Sequence, residues 1–296
     1  MKIGLPKYKV NDTATQRKLS TKENVNWAES VLGIPDIWSK TQGEGIKVAV
    51  LDTGIDIDHQ DLKDAIIATK DFTGQGIEDK SGHGTHCAGI IGARLNNVGF
   101  IGVAPKCKLV IGKVLGNDGS GSYDWIARAV HWASAIEKVD IISMSLGGPA
   151  STPQFYTAIH NALARGTSFV VAAGNEGSIF QNSIGYPGKY GSVITIASHD
   201  HNGNRSGFSS CGGEIDFMAP GSDIWSTYKN GGYASLSGTS MATPFVAGLA
   251  ALIMASGASV ANCEDLRNEL MRMATHPGYH DNTTGYGPLQ PFAYFG

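Results

Sequence analysis

Cysteine is scarce in this chain, and no two cysteines are close. Cys87, Cys107, Cys211 and Cys263 are scattered through 296 residues without a Cys-x-x-Cys pair. That disfavours a structural zinc site and suits reduced thiols in a cytosol, two disulfides being the competing arrangement. Charge is also low: 17% of residues are charged, the net charge is -3, and Lys and Arg form no stripe. The surface therefore offers no electrostatic footprint for nucleic acid or an anionic membrane. No apolar run is long enough to cross a bilayer. Met1–Tyr8 lacks the unbroken apolar core of a secretory signal, so a cytoplasmic location is expected.

What is plentiful is apolar residue and glycine. A hydrophobic fraction of 42% argues against disorder, and the length suits one large domain with a short appendage. The 39 glycines cluster in short motifs, where a backbone must turn sharply or let a ligand approach. Between them, apolar runs of strand length alternate with stretches of helix length. The expected strands are Ile46–Leu51, Lys108–Val114, Asp140–Ser145, Thr167–Ala172 and Ser192–Ala197. The expected helices are His83–Ala93, Tyr123–Glu137, Pro153–Arg165, Ser240–Ala255 and Glu264–Ala274. This alternation predicts an α/β fold, a mostly parallel sheet covered by helices. Ligand sites in such a sheet lie past the carboxyl ends of its strands, where Asp52, Ser145 and Asn175 all fall.

Four motifs carry chemistry. Val48-Ala49-Val50-Leu51-Asp52-Thr53-Gly54 puts an acid at the end of a buried strand, and an aspartic-protease reading would need a second such loop, which is missing. Ser81-Gly82-His83-Gly84-Thr85-His86 sets glycines on both sides of His83, and its two histidines could alternatively hold a metal. In Gly238-Thr239-Ser240-Met241-Ala242-Thr243-Pro244, a proline expected in a helix's first turn puts Ser240 at that helix's N-terminus, where developing negative charge is favoured. Val170–Gly177 runs a strand into a loop carrying the amide of Asn175. Together they supply a nucleophile, a base, a group to orient the base and an oxyanion donor.

The order Asp, His, Ser, with Asp-Thr-Gly, His-Gly-Thr-His and Gly-Thr-Ser-Met-Ala, resembles the subtilisin family of serine proteases from about residue 23 to the end. The resemblance implies a three-layer fold with helices on both faces of the sheet. It implies a serine endopeptidase working through an acyl-enzyme, broad in specificity with a preference for large apolar residues before the scissile bond. Asp52, His83 and Ser240 would be the triad and Asn175 the oxyanion donor. Gly119, Ser120 and Gly121 on one side, and Ser145, Leu146 and Gly147 on the other, would hydrogen-bond a polypeptide substrate as an extended strand. Tyr123 and Ile126 match an outer apolar pocket, or else form an ordinary helix core face; Ala172, Ala173 and Gly174 match the primary pocket wall. Structural calcium is common in the family, with Asp61 and Asn97 at the matching positions, although Leu95–Gly99 differs in length from the usual loop. Gly188, Tyr190 and Val193 could offer carbonyls to a second cation.

Only about 50 residues precede Asp52, a layout resembling the intracellular subtilisins. Residues 1–22 would then be an extension lying across the active site of the catalytic domain 23–296, with Leu5-Pro6-Lys7-Tyr8 spoiling the geometry of its own scissile bond. Cys87, behind the histidine motif, matches proteinase K-type members and implies sensitivity to thiol-binding metals. A processing protease with one dedicated partner, or an inactive peptide-binding relative, are the alternatives.

Overall fold

The computed structural model describes residues 2–14, 24–177 and 181–296. Its first half runs β1 (Ile3–Gly4), β2 (Lys9–Ala14), α1 (Trp27–Val31), α2 (Ile34–Ile37), β3 (Lys47–Asp52), β4 (Ile66–Asp71), α3 (His83–Gly92), β5 (Lys108–Lys113), β6 (Ser120–Gly121) and α4 (Tyr123–His131). It continues with β7 (Ile141–Met144), α5 (Pro153–Leu163), β8 (Ser168–Ala172), β9 (Ile194–His199), β10 (Phe217–Pro220), β11 (Ile224–Tyr228), β12 (Gly232–Ser237), α6 (Thr239–Ala255), α7 (Cys263–Met271) and α8 (Phe292–Phe295).

Seven parallel strands form the central sheet in the order β10-β9-β8-β7-β3-β5-β4. Alternate side chains of β3 enter opposite cores. Val48 and Val50 join the helices α3 and α6 in one cluster, while Ala49 and Leu51 join α4 and α5 in the other. A strand buried on both faces must read as a continuous apolar run, and this explains why the five expected strands were visible. The layers are those the family resemblance implied. Among the described residues, the buried members of the first cluster start at Ala28 and those of the second, Ile3 apart, at Ala49, with Tyr8 and Leu5 packed against them from outside.

Helix starts follow cap chemistry. Ser122 Oγ accepts from the Trp125 N–H before α4, and Thr152 Oγ1 accepts from the Phe155 N–H before α5, which has Pro153 in its first turn. The expected helix Tyr123–Glu137 divides: α4 stops at His131 and the wider π-turn Trp132–Ile136 follows. In α6, Pro244 is the sixth residue rather than a first-turn one, and Ser240 is the second. Two small antiparallel sheets complete the fold, β1 with β6 and β11-β12-β2. No helix among the described residues is long and apolar enough to cross a membrane. All four cysteines are buried and unpaired.

Candidate active site

Asp52 is the last residue of β3 and His83 the first of α3. The His83 Nδ1–H donates to Asp52 Oδ1 across 2.8 Å, and that oxygen also accepts from the Thr53 N–H at 2.7 Å. Both side chains are buried. The flanking glycines make this approach possible. Gly82 has φ 95°, and a Cβ there would lie 2.4 Å from the Tyr228 ring. A Cβ on Gly84 would lie 2.3 Å from the Gly54 carbonyl oxygen. Burial pushes the His83 imidazole down, but the Asp52 charge and hydrogen bond outweigh it, and the net direction is well above the usual value of 6.5. His86 belongs elsewhere: its Nε2–H reaches the carbonyls of Ile224 and Ala234, and burial lowers it to about 3. The pair of histidines therefore does not converge on a metal.

Ser240 Oγ donates to the Ser145 carbonyl at 3.3 Å, while His83 Nε2 is buried without a hydrogen-bond partner. Asn175 stands in the loop after β8. Its Oδ1 accepts from the Thr239 N–H and Oγ1–H, bracing the turn into Ser240, and its Nδ2 points the other way, donating to the Lys7 carbonyl at 2.7 Å. The Asn175 amide thus rests on the chain's own N-terminal segment.

That segment fills the cleft as an extended strand. Ile3 and Gly4 pair with Gly121 and Ser120, Gly4 exchanges two backbone bonds with Gly147 at 3.0 and 2.9 Å, and the Leu5 N–H donates to the Gly119 carbonyl. Continuing this antiparallel register sets Pro6 opposite Ser145. Tyr8 closes over the triad, its ring centroid 4.9 Å from that of His83. Leu5, Pro6 and Lys7 border a cavity of about 430 Å³ walled by Leu146, Gly147, Ala172, Ala173 and Gly174. Tyr123 and Ile126 are buried and belong to the same hydrophobic cluster as Ile3, the helix-core arrangement. Gly119, Ser120, Gly121, Leu146, Gly147, Ala172, Ala173 and Gly174 thus border the cleft that the N-terminal segment fills, while Ile126 lies in the core behind it. Residues 15–22, the rest of the expected extension, lie outside the described residues.

Residues 43–287 match the Subtilase family. The chain belongs to the subtilase family. It is similar to an intracellular serine protease of Paenibacillus polymyxa, 48% identical over 74% of this chain and 69% of the relative. The major intracellular serine protease of Bacillus subtilis is 47% identical over 75% and 73%. Thermitase of Thermoactinomyces vulgaris is 42% identical over 77% and 81%. As a subtilase the chain is a serine-type endopeptidase, with polypeptides as its substrate class.

Two features of this subtilase escape sequence reasoning. Asp79, 1% exposed, accepts five hydrogen bonds: from Thr53 Oγ1, the Ser81 and Gly82 N–H groups, and the Thr85 N–H and Oγ1. It clasps the residue after Asp52 to the turn before His83. Its only signal is an acid four positions before His83 in a polar loop, which reads like any surface aspartate. The second feature is the Ser145 hydroxyl, which donates to the Ser240 carbonyl at 2.9 Å. Cys87 Sγ donates to the same carbonyl at 3.4 Å and lies 3.8 Å from His83 Nδ1, its thiol pushed up by burial.

The residues expected to hold calcium do not fit a cation. Asp61 is fully buried, and its carboxylate already accepts from Asn96 Nδ2, the Phe100 N–H and the Tyr233 hydroxyl. Hydrogen-bond donors surround the carboxylate where calcium would require further oxygen ligands. Asn97 sits in the loop after α3 with φ 67°. Among the carbonyls of the second candidate, Gly188 accepts from Thr195 Oγ1 and Val193 from Arg267 Nη2. Among the described residues, the one His, Cys and carboxylate group close enough to share an ion is Asp52, His83 and Cys87.

Proposed function

We propose that this subtilase cleaves unfolded or extended polypeptides in the cytoplasm through an acyl-enzyme, and that residues 1–22 hold it inactive until they are removed. Ser240 Oγ attacks the scissile carbonyl, His83 Nε2 takes the proton and passes it to the leaving amine, and Asp52 holds the imidazolium. Asn175 Nδ2 and the Ser240 N–H receive the oxyanion. The observation that carries this reading is Asn175 Nδ2 resting 2.7 Å from a backbone carbonyl of a strand laid through the cleft. Small walls at Ala172, Ala173 and Gly174 leave room for a large apolar side chain before the cleaved bond. Four reduced cysteines and relatives named intracellular support the cytoplasmic location.

The extension inhibits through Pro6. A substrate residue opposite Ser145 would donate its N–H to the Ser145 carbonyl, but proline has none. The Ser240 hydroxyl takes that acceptor instead, at 3.3 Å, and is thereby turned from His83. Tyr8 covers the imidazole.

Hydrolysis of a chromogenic tetrapeptide with a large apolar residue before the leaving group tests both parts. The chain from residue 23 should be active at once, and the full chain slow or lagging. Ser240→Ala should abolish turnover. Asn175→Ala should lower kcat by about 10²–10³, a magnitude taken over from subtilisin itself. Equal initial rates for the two lengths, with no lag, would sink the inhibitory role while leaving the protease.

A further inference from the structure

The extension does not end at the reacting centre. Beyond Tyr8 it continues as β2, a six-residue antiparallel strand on β12. Lys9 faces Ser237, Val10 Leu236, Asp12 Ser235 and Thr13 Ala234, with a register shift between Ser235 and Leu236 that leaves Asn11 without an opposite residue. Asn11 Nδ2 spans the irregularity, donating to Ser237 Oγ at 2.8 Å and Asp223 Oδ1 at 2.6 Å. The other edge of β12 is taken by β11, so β2 covers the remaining edge of that hairpin. β12 also leads through Gly238 and Thr239 directly into Ser240.

The occupant of this edge is held by its backbone. Lys9, Val10, Asp12 and Thr13 are exposed and Asn11 half-buried, with Val10 44% exposed despite being apolar. A slot that grips main chain and leaves side chains in water accepts almost any sequence that can extend.

We infer that the β12 edge is a docking strip for the leaving-group side of polypeptide substrates, which add to it as a strand in the place β2 now holds. The inference rests on the endopeptidase reading of the same cleft and names its substrate: chain segments able to stay extended well past the bond that is cut. Unprimed residues dock between Gly119–Gly121 and Gly147, and the residues after the scissile bond zip onto Ser237–Tyr233. Short peptides and tight folded loops use only the first half. A long substrate also competes with β2 for the same hydrogen bonds, so substrate and extension exclude one another along the whole strip.

The test uses the chain from residue 23, whose buried core clusters take only Ile3 from the described part of the extension, carrying Ser240→Ala for binding and intact for turnover. Three peptides share their unprimed residues and differ after the scissile bond: a two-residue tail, an eight-residue tail, and the eight-residue tail N-methylated at alternate amides. The long tail should tighten Kd about tenfold or more, the worth of one or two net hydrogen bonds, and N-methylation should return it to the short-tail value. The same ranking should appear in kcat/KM. Equal Kd for all three overturns the strip, whether or not the peptides are cut. Tail-dependent binding without cleavage by the Ser240 protein would keep the strip and retire the endopeptidase reading.

Discussion

His83 is the residue on which pH acts. In its proposed role of base it works only when neutral, so a value held above 6.5 by the Asp52 carboxylate moves the loss of activity to higher pH than a free imidazole would show. As pH falls through the raised value the imidazole takes a proton, and kcat/KM falls with it. The acid limb of the profile, measured on the chain from residue 23, should therefore have its midpoint above 6.5, and Asp52→Asn should move that midpoint down while lowering the rate. A midpoint at or below 6.5 in the unmutated enzyme would mean that Asp52 does not govern the base. The candidates Asp52, His83, Ser240 and Asn175 were legible because each sits among glycines and small residues, against which a reactive or polar side chain stands out. Asp79 was not, because what distinguishes it is that four donors of the turn Ser81–Thr85 and the distant Thr53 hydroxyl meet on one carboxylate, and that meeting has no trace in the local sequence.

At the scale of elements, one missing N–H occurs twice and matters both times. Pro244 cannot donate to the carbonyl four residues back, and that carbonyl belongs to Ser240. Ser145 Oγ and Cys87 Sγ supply the bond instead, so the end of β7, the helix α3 and the helix α6 are pinned together beneath the nucleophile. The sequence reading placed Pro244 one turn too early because it assumed that a helix interior offers no substitute donor. Pro6 repeats the effect in the cleft, where the Ser145 carbonyl is left to the Ser240 hydroxyl. Pro6→Ala should restore a donor opposite Ser145, release Ser240 towards His83 and turn the extension into a substrate. Mass spectrometry of the full-length variant should show the N-terminal segment cut, with the lag in peptide hydrolysis gone, and Ser240→Ala in the same chain should keep it whole. An intact and equally slow Pro6→Ala protein would place the inhibition elsewhere than in the missing N–H. The small strands were hidden for a related reason. Lys-Val-Asn-Asp-Thr-Ala has little strand preference, and β2 exists because β12 offers it an edge.

Over the whole molecule, the helix and sheet layers follow from apolar runs that can be read locally, but the ties between distant segments do not. Asp61 shows the difference. Its position matches a calcium ligand, yet the Asn96 amide and the Phe100 N–H of the loop after α3 donate to the carboxylate, and the Tyr233 hydroxyl arrives from β12 at 2.7 Å. Three protein donors thereby do locally what a cation does elsewhere, joining the segment after α3 to the hairpin that leads into Ser240. Stability should then depend on Tyr233 and be indifferent to calcium at this place. Tyr233→Phe removes one bond to a buried carboxylate, which costs about 1–3 kcal/mol and should lower Tm by a few degrees in a chain of this size. A chelator should leave the Tm of the unmutated protein where it was. If chelation instead destabilised the protein while Tyr233→Phe did not, the carboxylate would be serving a cation after all, and the hydrogen-bonded loop would be the arrangement that the cation displaces.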